Sequence, residues 1–367
     1  MLVNPASYNN YGEEVMSTRR SVLIRSLGVC AAAALLVGHS LPAAAAADAS
    51  AVAANKAVVQ RYLEALGTSK FAEVSKQTQA ADYKLVRHEF ENLKFNADDP
   101  KLSKAMQPDA VAIADRSNTI TRILGQGDTV AATIRIKGTH KGNLYGIPAT
   151  GKPIEIEEAA VFKLKNGKIT EGWMMAEEAK LLRQLSARLP ARQDGKLNPP
   201  PVYNDTRSFD DALQEMIAKP LDTPEYRHVK LLLAYKAKNK PADLADTLKA
   251  FNGRPYANLL RGGADNIVER GKELNVQGSH GQSMSGRQDM LGTAISEGNQ
   301  AMFQFRLTAK NTGPLYGIPA SGHDLHDWEI GFAEFDGDKW DKAWYLGDEL
   351  GFLLTIGNKE ALDYLVG

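Results

Sequence analysis

The sequence is almost free of cysteine and has no excess of charge of either sign. Its single cysteine, Cys30, lies near the N-terminus in an apolar segment, so the rest of the chain has no disulfide, thiol nucleophile or cysteine metal site. Lys and Arg together number 44, as do Asp and Glu, which gives a net charge of zero. Without a basic excess, or a run of Lys and Arg interleaved with aromatic residues, the sequence does not predict a nucleic-acid partner.

The first 47 residues have the features of an export signal. The pair Arg19-Arg20 precedes an apolar, alanine-rich run over residues 27–37, and small residues occupy 43–47. A charged region, an apolar region and a small-residue cleavage site in this order predict a twin-arginine signal peptide over residues 1–47. The apolar run is too short to predict a membrane span, although a weak N-terminal anchor is the alternative. We therefore expect a periplasmic or secreted protein.

An internal repeat dominates the remaining sequence. Residues 144–151 read Leu-Tyr-Gly-Ile-Pro-Ala-Thr-Gly, and residues 315–322, 171 positions later, read Leu-Tyr-Gly-Ile-Pro-Ala-Ser-Gly. A repeat of this length indicates a duplicated domain, because each copy can bury a core of its own. We predict a first domain over residues 51–187 and a second over 207–367. The polar, proline-containing stretch 188–206 between them is typical of a semi-rigid linker.

Each copy begins with helical patterning and ends with strands. Val58, Tyr62 and Leu66 recur at helical spacing, and Thr223-Pro224 is a typical helix start in the second copy. Later segments are rich in β-forming residues, and Asn166-Gly167 is a hairpin signal. This order predicts an α+β fold, a tandem pair of domains that each pack a curved antiparallel sheet on N-terminal helices.

Four motifs of the first copy occur in an order that resembles the SnoaL-like polyketide cyclases. They are Gly138-Thr139-His140-x-Gly142, Gly146-Ile147-Pro148-Ala149-Thr150-Gly151, Gly167-Lys168-Ile169 followed by Trp173, and Leu181-Leu182-Arg183-Gln184-Leu185. The resemblance covers nearly all of the first copy and chiefly residues 305–357 of the second. It implies cone-shaped domains of the nuclear-transport-factor-two-like fold, which bind a small apolar molecule and need no metal or cofactor.

The resemblance implies an acid/base residue four positions after the tryptophan. That position holds Glu177 after Trp173 and Asp348 after Trp344; the family has aspartate, so Glu177 differs by one methylene. On a strand each acid would share a face with its tryptophan, which we expect to contact substrate, and desolvation there would raise the pKa of the carboxyl group. The alternative is that each acid only begins the last helix of its copy, where acids are favoured.

Further site candidates follow from the same resemblance and from the repeat. His88 and His140 match histidines of the family and are predicted to act in catalysis; the alternative is that they are core or rim histidines. At an offset of 171, His140 corresponds to Asn311 and His88 to Leu259. Asn311 is therefore a predicted substrate contact, as are Tyr145 and Tyr316 of the repeated segment.

The sequence contains two other groups of polar residues of the types found in functional sites. Glu158 and Glu329 are shared by both copies and fit a pocket wall or an exposed surface equally well. His323 and His326 are three positions apart and fall on opposite faces of a strand, so no metal site is predicted there.

The sequence leaves two classes of function open. One is a cofactor-free cyclase, isomerase or lyase that acts by acid/base catalysis on a small ketone or ester. The other is a non-catalytic periplasmic binder of a small apolar molecule. In both cases we expect the two copies to pack on each other as an internal pseudo-dimer within a monomeric protein.

Overall fold

The computed structural model describes residues 43–196, 207–239, 258–276, 281–357 and 363–366. Both repeats lie in one compact unit that begins at Ala43. Nearly all of the predicted signal peptide, and the triple proline of the predicted linker, lie outside the described residues. None of the described helices is long and apolar enough to cross a membrane.

The first copy consists of three helices, a short 3₁₀-helix and five strands. The helix Phe71–Thr78 ends where the strand Gln79–Arg87 begins. Asn166 and Gly167, both with positive φ, form the turn between two strands as the Asn-Gly pair predicts. The elements are α1 Ala43–Ala65, α2 Phe71–Thr78, β1 Gln79–Arg87, the 3₁₀-helix Asn92–Asn96, β2 Ile113–Gln126, β3 Thr129–His140, β4 Pro153–Lys165, β5 Lys168–Ala176 and α3 Glu178–Leu185.

The second copy repeats this order with its own N-terminal helices. Thr223 caps the helix Pro224–Lys236 by accepting a hydrogen bond from the Tyr226 N–H, and Pro224 occupies the first turn, as the sequence predicts. The elements are β6 Arg207–Ser208, α4 Phe209–Ala218, α5 Pro224–Lys236, β7 Asn258–Arg261, α6 Asp265–Glu273, the 3₁₀-helix Gly281–Ser283, β8 Met284–Glu297, β9 Gln300–Asn311, β10 Asp324–Asp336, β11 Lys339–Gly347 and α7 Glu349–Ile356.

The strands form two sheets, one in each copy. Their orders are β1-β5-β4-β3-β2 and β6-β8-β9-β10-β11-β7. The predicted α+β class with two copies is confirmed, and the four consecutive strands of each copy form the predicted antiparallel meander. Each sheet also has one parallel pair, β1 with β5 and β7 with β11, because the strand that follows the N-terminal helices returns beside the last strand and runs in the same direction.

One face of each sheet covers the core of its own copy. In the first copy, Val59, Tyr62 and Leu63 of α1 are buried in one cluster with inward-facing strand residues such as Ile134 and Phe162. In the second copy, Phe209, Leu213 and Leu232 of α4 and α5 are buried with Phe303 and Phe305 of β9. Burial of these large side chains is the main stabilising contribution to each copy.

The opposite faces of the two sheets pack against each other. Trp173 and Met175 of β5 and Val161 of β4 are buried in one cluster with Trp328 and Trp344 of the second copy. The ring centroids of Trp173 and Trp328 are 5.7 Å apart. The side chains that alternate with the core residues on each strand therefore join the two copies into one unit.

The repeated Leu-Tyr-Gly-Ile segments form equivalent turns. Leu144 and Ile147 exchange two backbone hydrogen bonds of 3.0 and 3.1 Å, and Leu315 and Ile318 do the same. Tyr145 and Tyr316 have φ values of 49° and 43°. A bulky residue in the left-handed region is uncommon and strained, so the glycine that follows each tyrosine, also at positive φ, makes the turn possible.

Candidate functional site

The two acids predicted from the tryptophan spacing lie at the junction of the copies. Glu177 and Asp348 directly precede α3 and α7, and each forms an ion pair with an arginine of the other copy. Arg261 Nη1 is 2.6 Å from Glu177 Oε1, and Arg87 Nη2 is 2.9 Å from Asp348 Oδ2. Arg87 and Arg261 are the last residues of β1 and β7 and lie opposite Trp173 and Trp344, so the two pairs are related by the repeat.

Further hydrogen bonds fix both carboxylates. Glu177 Oε2 accepts from the Glu157 N–H at 2.8 Å and lies 3.1 Å from Lys180 Nζ. Asp348 Oδ1 accepts from Asn92 Nδ2 at 2.6 Å and from the Gly351 N–H at 3.2 Å, which caps α7. The geometry of Asp348 matches the helix-start alternative, and both acids also hold the copies together. Their catalytic role stays a prediction.

Glu177 lines a polar cleft of about 380 Å³ between α3 and the β7–α6 region. Its walls are Glu177, Lys180, Arg183 and Gln184 of the first copy and Arg261, Asp265, Asn266 and Glu269 of the second. The predicted companions of Glu177 lie elsewhere among the described residues. Trp173 and Trp344 are buried between the sheets, where Trp344 Nε1 donates to Glu157 Oε2 at 3.1 Å.

His140 and Asn311 occupy the same position in the two copies. His140 Nδ1 is 3.1 Å from Thr150 Oγ1, and Asn311 Oδ1 accepts from the Ser321 N–H at 2.7 Å. Both side chains are buried and fix the loop that follows the Tyr-Gly turn, and burial lowers the pKa of His140. These contacts show a structural role for both residues, whereas a contact with substrate stays a prediction.

His88 and Tyr145 lie near the end of β1. His88 is exposed, and its N–H donates to the Glu91 carboxylate at 3.1 Å. The Tyr145 ring packs against the core of the first copy. Burial raises the pKa of Tyr145 to about 12, and the nearby negative charges of Glu89 and Glu178 add to the increase. Its hydroxyl is therefore protonated at neutral pH and can donate a hydrogen bond.

Tyr316 repeats the turn but has different neighbours. Its ring lies against α6, where a Cβ added to Gly271 would be 2.5 Å from a Tyr316 ring carbon. His88 follows Arg87, and Gly262 follows the equivalent Arg261. The equivalent of His88 in the second copy is therefore Gly262 and not Leu259. The offset of 171 that we assumed for His88 is therefore three residues too short in this part of the chain.

A buried acid inside the first copy stands out from these residues. Glu158 lies in β4 opposite Ile134 of β3 and Ala176 of β5, on the face that covers the core, and it has no exposed surface. Neither carboxyl oxygen accepts a hydrogen bond from the described residues. Burial raises the pKa of Glu158 well above its ordinary value, and the negative charge of Glu89 adds to the increase, so the surroundings of this carboxyl group favour its protonated form.

Glu89 is the neighbouring carboxyl group, in the turn after β1. Its Oε1 is 2.6 Å from Arg116 Nη2, and both side chains are nearly buried. Arg116 Nε donates to Asn118 Oδ1 at 3.0 Å, and Asn118 Nδ2 donates to the carbonyl oxygens of Leu63 and Leu66 at the end of α1. The end of α1 thus positions Arg116 through Asn118, and Arg116 positions Glu89 beside Glu158.

Two tyrosines complete this cluster. Burial raises the pKa of both Tyr62 and Tyr83, and the neighbouring Tyr83 hydroxyl adds to the increase for Tyr62. A Cβ added to Gly172 would lie 2.4 Å from the Tyr83 hydroxyl, so only glycine leaves room for it. The core of the first copy therefore contains two tyrosine hydroxyls, one fully buried carboxyl group and one ion-paired carboxylate. Arg116 and Arg287 are also 171 residues apart, and this match in the repeat is the sequence signal that marks the cluster.

The first copy is similar in sequence to a known family. The sequence model of the SnoaL-like polyketide cyclase family matches residues 56–185. Similar solved structures include a SnoaL-like protein from Jannaschia sp. CCS1 (17% identity, 38% of this chain, 95% of that chain, TM-score 0.30). TsrD from Streptomyces laurentii (20%, 37%, 96%, 0.29) and IdmH from Streptomyces antibioticus (21%, 36%, 99%, 0.28) are also similar. None of the curated proteins compared with the chain matches it.

Proposed function

We propose that this chain, whose residues 56–185 belong to the SnoaL-like polyketide cyclase family, catalyses acid/base chemistry on a small apolar ketone or ester in its first copy. One observation carries the proposal. Glu158 and Glu89 are neighbouring carboxyl groups in different surroundings, because Glu158 is desolvated and Glu89 forms an ion pair with Arg116. Two carboxyl groups whose environments favour different protonation states are suited to act as a general acid and a general base.

The proposed reaction is enolisation of the bound carbonyl compound. The Glu89 carboxylate removes a proton from the carbon next to the carbonyl group, and Glu158 donates its proton to the carbonyl oxygen. The C–H bond breaks, its electron pair forms the carbon–carbon double bond of an enol, and the carbonyl π electrons take the proton from Glu158. The enol carbon then attacks a second carbonyl carbon to close a ring; the oxygen of that carbonyl takes the proton from Glu89, and the enol O–H returns its proton to Glu158 as the first carbonyl re-forms. The Tyr62 and Tyr83 hydroxyls supply hydrogen bonds to oxygen atoms, and the chemistry needs only side chains of this copy.

The test measures proton exchange, because a ring-closing substrate is not needed for it. The native protein is incubated with 2-octanone in D2O, and loss of the protons next to the carbonyl is followed by NMR. Glu158→Gln and Glu89→Gln should each slow the exchange by about 100-fold or more, the usual contribution of a general acid or base. Glu155→Gln, on the same strand but half exposed and facing away from the core, is the matched control and should leave exchange unchanged.

The same assay separates Glu158 from the acid implied by the family. If Glu158 is the acid, Glu177→Gln should retain most of the exchange activity; loss of exchange in Glu177→Gln with full activity in Glu158→Gln would move the site to the cleft. Circular dichroism of each variant checks that it remains folded.

A non-catalytic binder is the second candidate, and it is favoured because the acids implied by the family, Glu177 and Asp348, are both held in ion pairs between the copies. A binder would hold apolar ketones, detected by saturation-transfer NMR, without any exchange of their protons. Exchange at the rate of the buffer alone, with no binding, would contradict both candidates.

The proposed location is the periplasm or the extracellular space, reached through a twin-arginine signal. The paired Arg19 and Arg20 and the apolar run after them support this proposal. The double change Arg19→Lys and Arg20→Lys should leave the unprocessed chain in the cytoplasm of a bacterial host. Cell fractionation and the mass of the chain in each fraction measure this, and unchanged export would contradict the proposal.

A further inference from the structure

The two ends of the contact between the copies differ, although the repeat relates them. The end at Asp348 is closed by apolar side chains, since Leu354 of α7 is buried in the core cluster and Phe95 packs against the same cluster. The end at Glu177 instead has the polar cleft of about 380 Å³ between α3 and the β7–α6 region. Only one of the two ends therefore has room for a ligand.

The residues at equivalent positions explain the difference. One glycine and two apolar residues at the closed end correspond to three charged residues at the open end, and the offset is 171 in the last helices and 174 after the parallel edge strands. A Cβ added to Gly351 would lie 2.9 Å from Asn92 Oδ1, so the closed end is tightly packed. The corresponding pairs are Gly351 and Lys180, Leu354 and Arg183, and Phe95 and Glu269.

The walls of the cleft are hydrophilic and balanced in charge. All eight side chains that line it are polar or charged, with equal numbers of cations and acids. An apolar ligand would desolvate these groups without replacing their hydrogen bonds, which is unfavourable. The occupant that fits is therefore hydrophilic and carries charges of both signs. The cations are Lys180, Arg183 and Arg261, and the acids are Glu177, Asp265 and Glu269.

Arg261 has hydrogen-bonding capacity that the protein does not use. Its Nη1 is 2.6 Å from Glu177 Oε1, whereas Nε and Nη2 are buried without a hydrogen-bond partner among the described residues. These two N–H groups lie on one edge of the guanidinium plane, the arrangement that binds both oxygens of a carboxylate. The equivalent Arg87 donates from Nη1 to the Met174 carbonyl at 2.8 Å and from Nη2 to Asp348. Because buried donors without partners are unfavourable, a carboxylate in the cleft would favour rotation of Arg261 toward it.

Lys180 and Asp265 supply accessible charges beside Arg261. Lys180 Nζ is 3.1 Å from Glu177 Oε2, and its side chain is about one-third exposed. Asp265 Oδ1 accepts from the Gly262 N–H at 3.1 Å, whereas Oδ2 is 3.9 Å from Arg261 Nη1. Burial raises the pKa of Asp265, and a positive charge placed beside it would lower that pKa. An ammonium group next to Asp265 would thus favour the carboxylate form.

We propose that the cleft binds a small hydrophilic α-amino acid, whose carboxylate pairs with Arg261 and Lys180 and whose ammonium group pairs with Asp265. Arg261 and Asp265 lie close together, as do the carboxylate and ammonium groups that they would bind. Arg183 Nη1 is already 3.0 Å from Glu269 Oε2, so the side chain of the ligand is polar and uncharged. The site belongs to both copies and is separate from the acid/base cluster proposed for the core of the first.

The experiment compares L-glutamine with two analogues by isothermal titration calorimetry on the full chain. Glutaramate lacks the ammonium group, and 4-aminobutanamide lacks the carboxylate. The native protein should bind L-glutamine at least about 10-fold more tightly than either analogue, since a hydrogen bond to a charged group contributes at least the free energy of a 10-fold change. Asp265→Asn should remove the preference over glutaramate, and Arg261→Gln the preference over 4-aminobutanamide. Lys180→Gln should weaken L-glutamine binding and serves if Arg261→Gln does not fold.

Two further variants keep the result specific. Asp338→Asn removes an acid of the second copy that is 60% exposed and pairs with Arg227, and it should bind L-glutamine like the native protein. The double change Arg183→Leu and Glu269→Phe reproduces the residues of the closed end and should abolish binding. This measurement involves no proton exchange in ketones, so a failure of the proposed function does not affect it. Equal binding of L-glutamine and either analogue, native affinity in Asp265→Asn, or no binding of L-glutamine at millimolar concentration would overturn the proposal.

Discussion

The ion pair between Arg87 and Asp348 should contribute more to stability than any exposed charge pair of this protein. The two side chains are only 2% and 4% exposed. Asp348→Asn keeps the shape of the side chain but removes the negative charge that Arg87 Nη2 contacts in a buried position. Removal of one partner from a buried pair costs about 3–5 kcal/mol. Loss of a favourable charge at a helix start alone would cost only about 0.3–1 kcal/mol.

Urea unfolding of a double-mutant cycle measures this contribution. Asp348→Asn and Arg87→Met are made singly and together, and the double variant should be more stable than the sum of the single effects predicts, by about 2–3 kcal/mol. The matched control is Arg207→Met, which breaks the exposed pair with Glu215 and should cost no more than about 1 kcal/mol. Additive effects in the cycle, or equal costs for Asp348→Asn and Arg207→Met, would refute the reasoning.

Two further predictions follow. Burial raises the pKa of Glu349 from 4.5 to about 7, so its contribution to stability is present at low pH and is lost as pH rises through about 7. Relative to the native protein, Glu349→Gln should therefore gain about 1.4 kcal/mol per pH unit between about pH 5 and 7 in urea unfolding, whereas a difference independent of pH would contradict this. Because the sheet faces already pack on each other, light scattering should give the mass of one chain, and a stable dimer would be inconsistent with an internal pseudo-dimer.

The fold could be predicted from the sequence because its strongest signals are local or repeated. The segment Leu-Tyr-Gly-Ile-Pro recurs with the same turn chemistry, and Thr223-Pro224 begins a helix by satisfying free backbone N–H groups. The parallel edge strands were missed because nothing within residues 79–87 or 258–261 shows which strand they will pair with. That pairing depends on the meander that separates the two strands of each parallel pair in the sequence.

The site was harder to predict because the two faces of a strand cannot be told apart by alternation alone. Trp173 and Met175 have the pattern of a pocket wall, but in a duplicated protein a second sheet can cover that face instead. Glu158 lies on the other face and looks like an ordinary acid in the sequence. Only the structure shows that it is fully enclosed and that Glu89, distant in sequence, is its neighbour.

The contact between the two sheets shows what a fused pair of domains can do that identical subunits cannot. In a symmetric dimer every contact away from the axis occurs twice with the same residues. Here Trp344 donates its N–H to Glu157, whereas the related Trp173 meets Trp328 at the equivalent position, and its Nε1 has no hydrogen-bond partner among the described residues. The contact between the sheets is therefore polar at Trp344 and aromatic at Trp173. A substitution at Glu157 or Trp328 alters only one of these two contacts, so each copy can diverge without a matching change in the other.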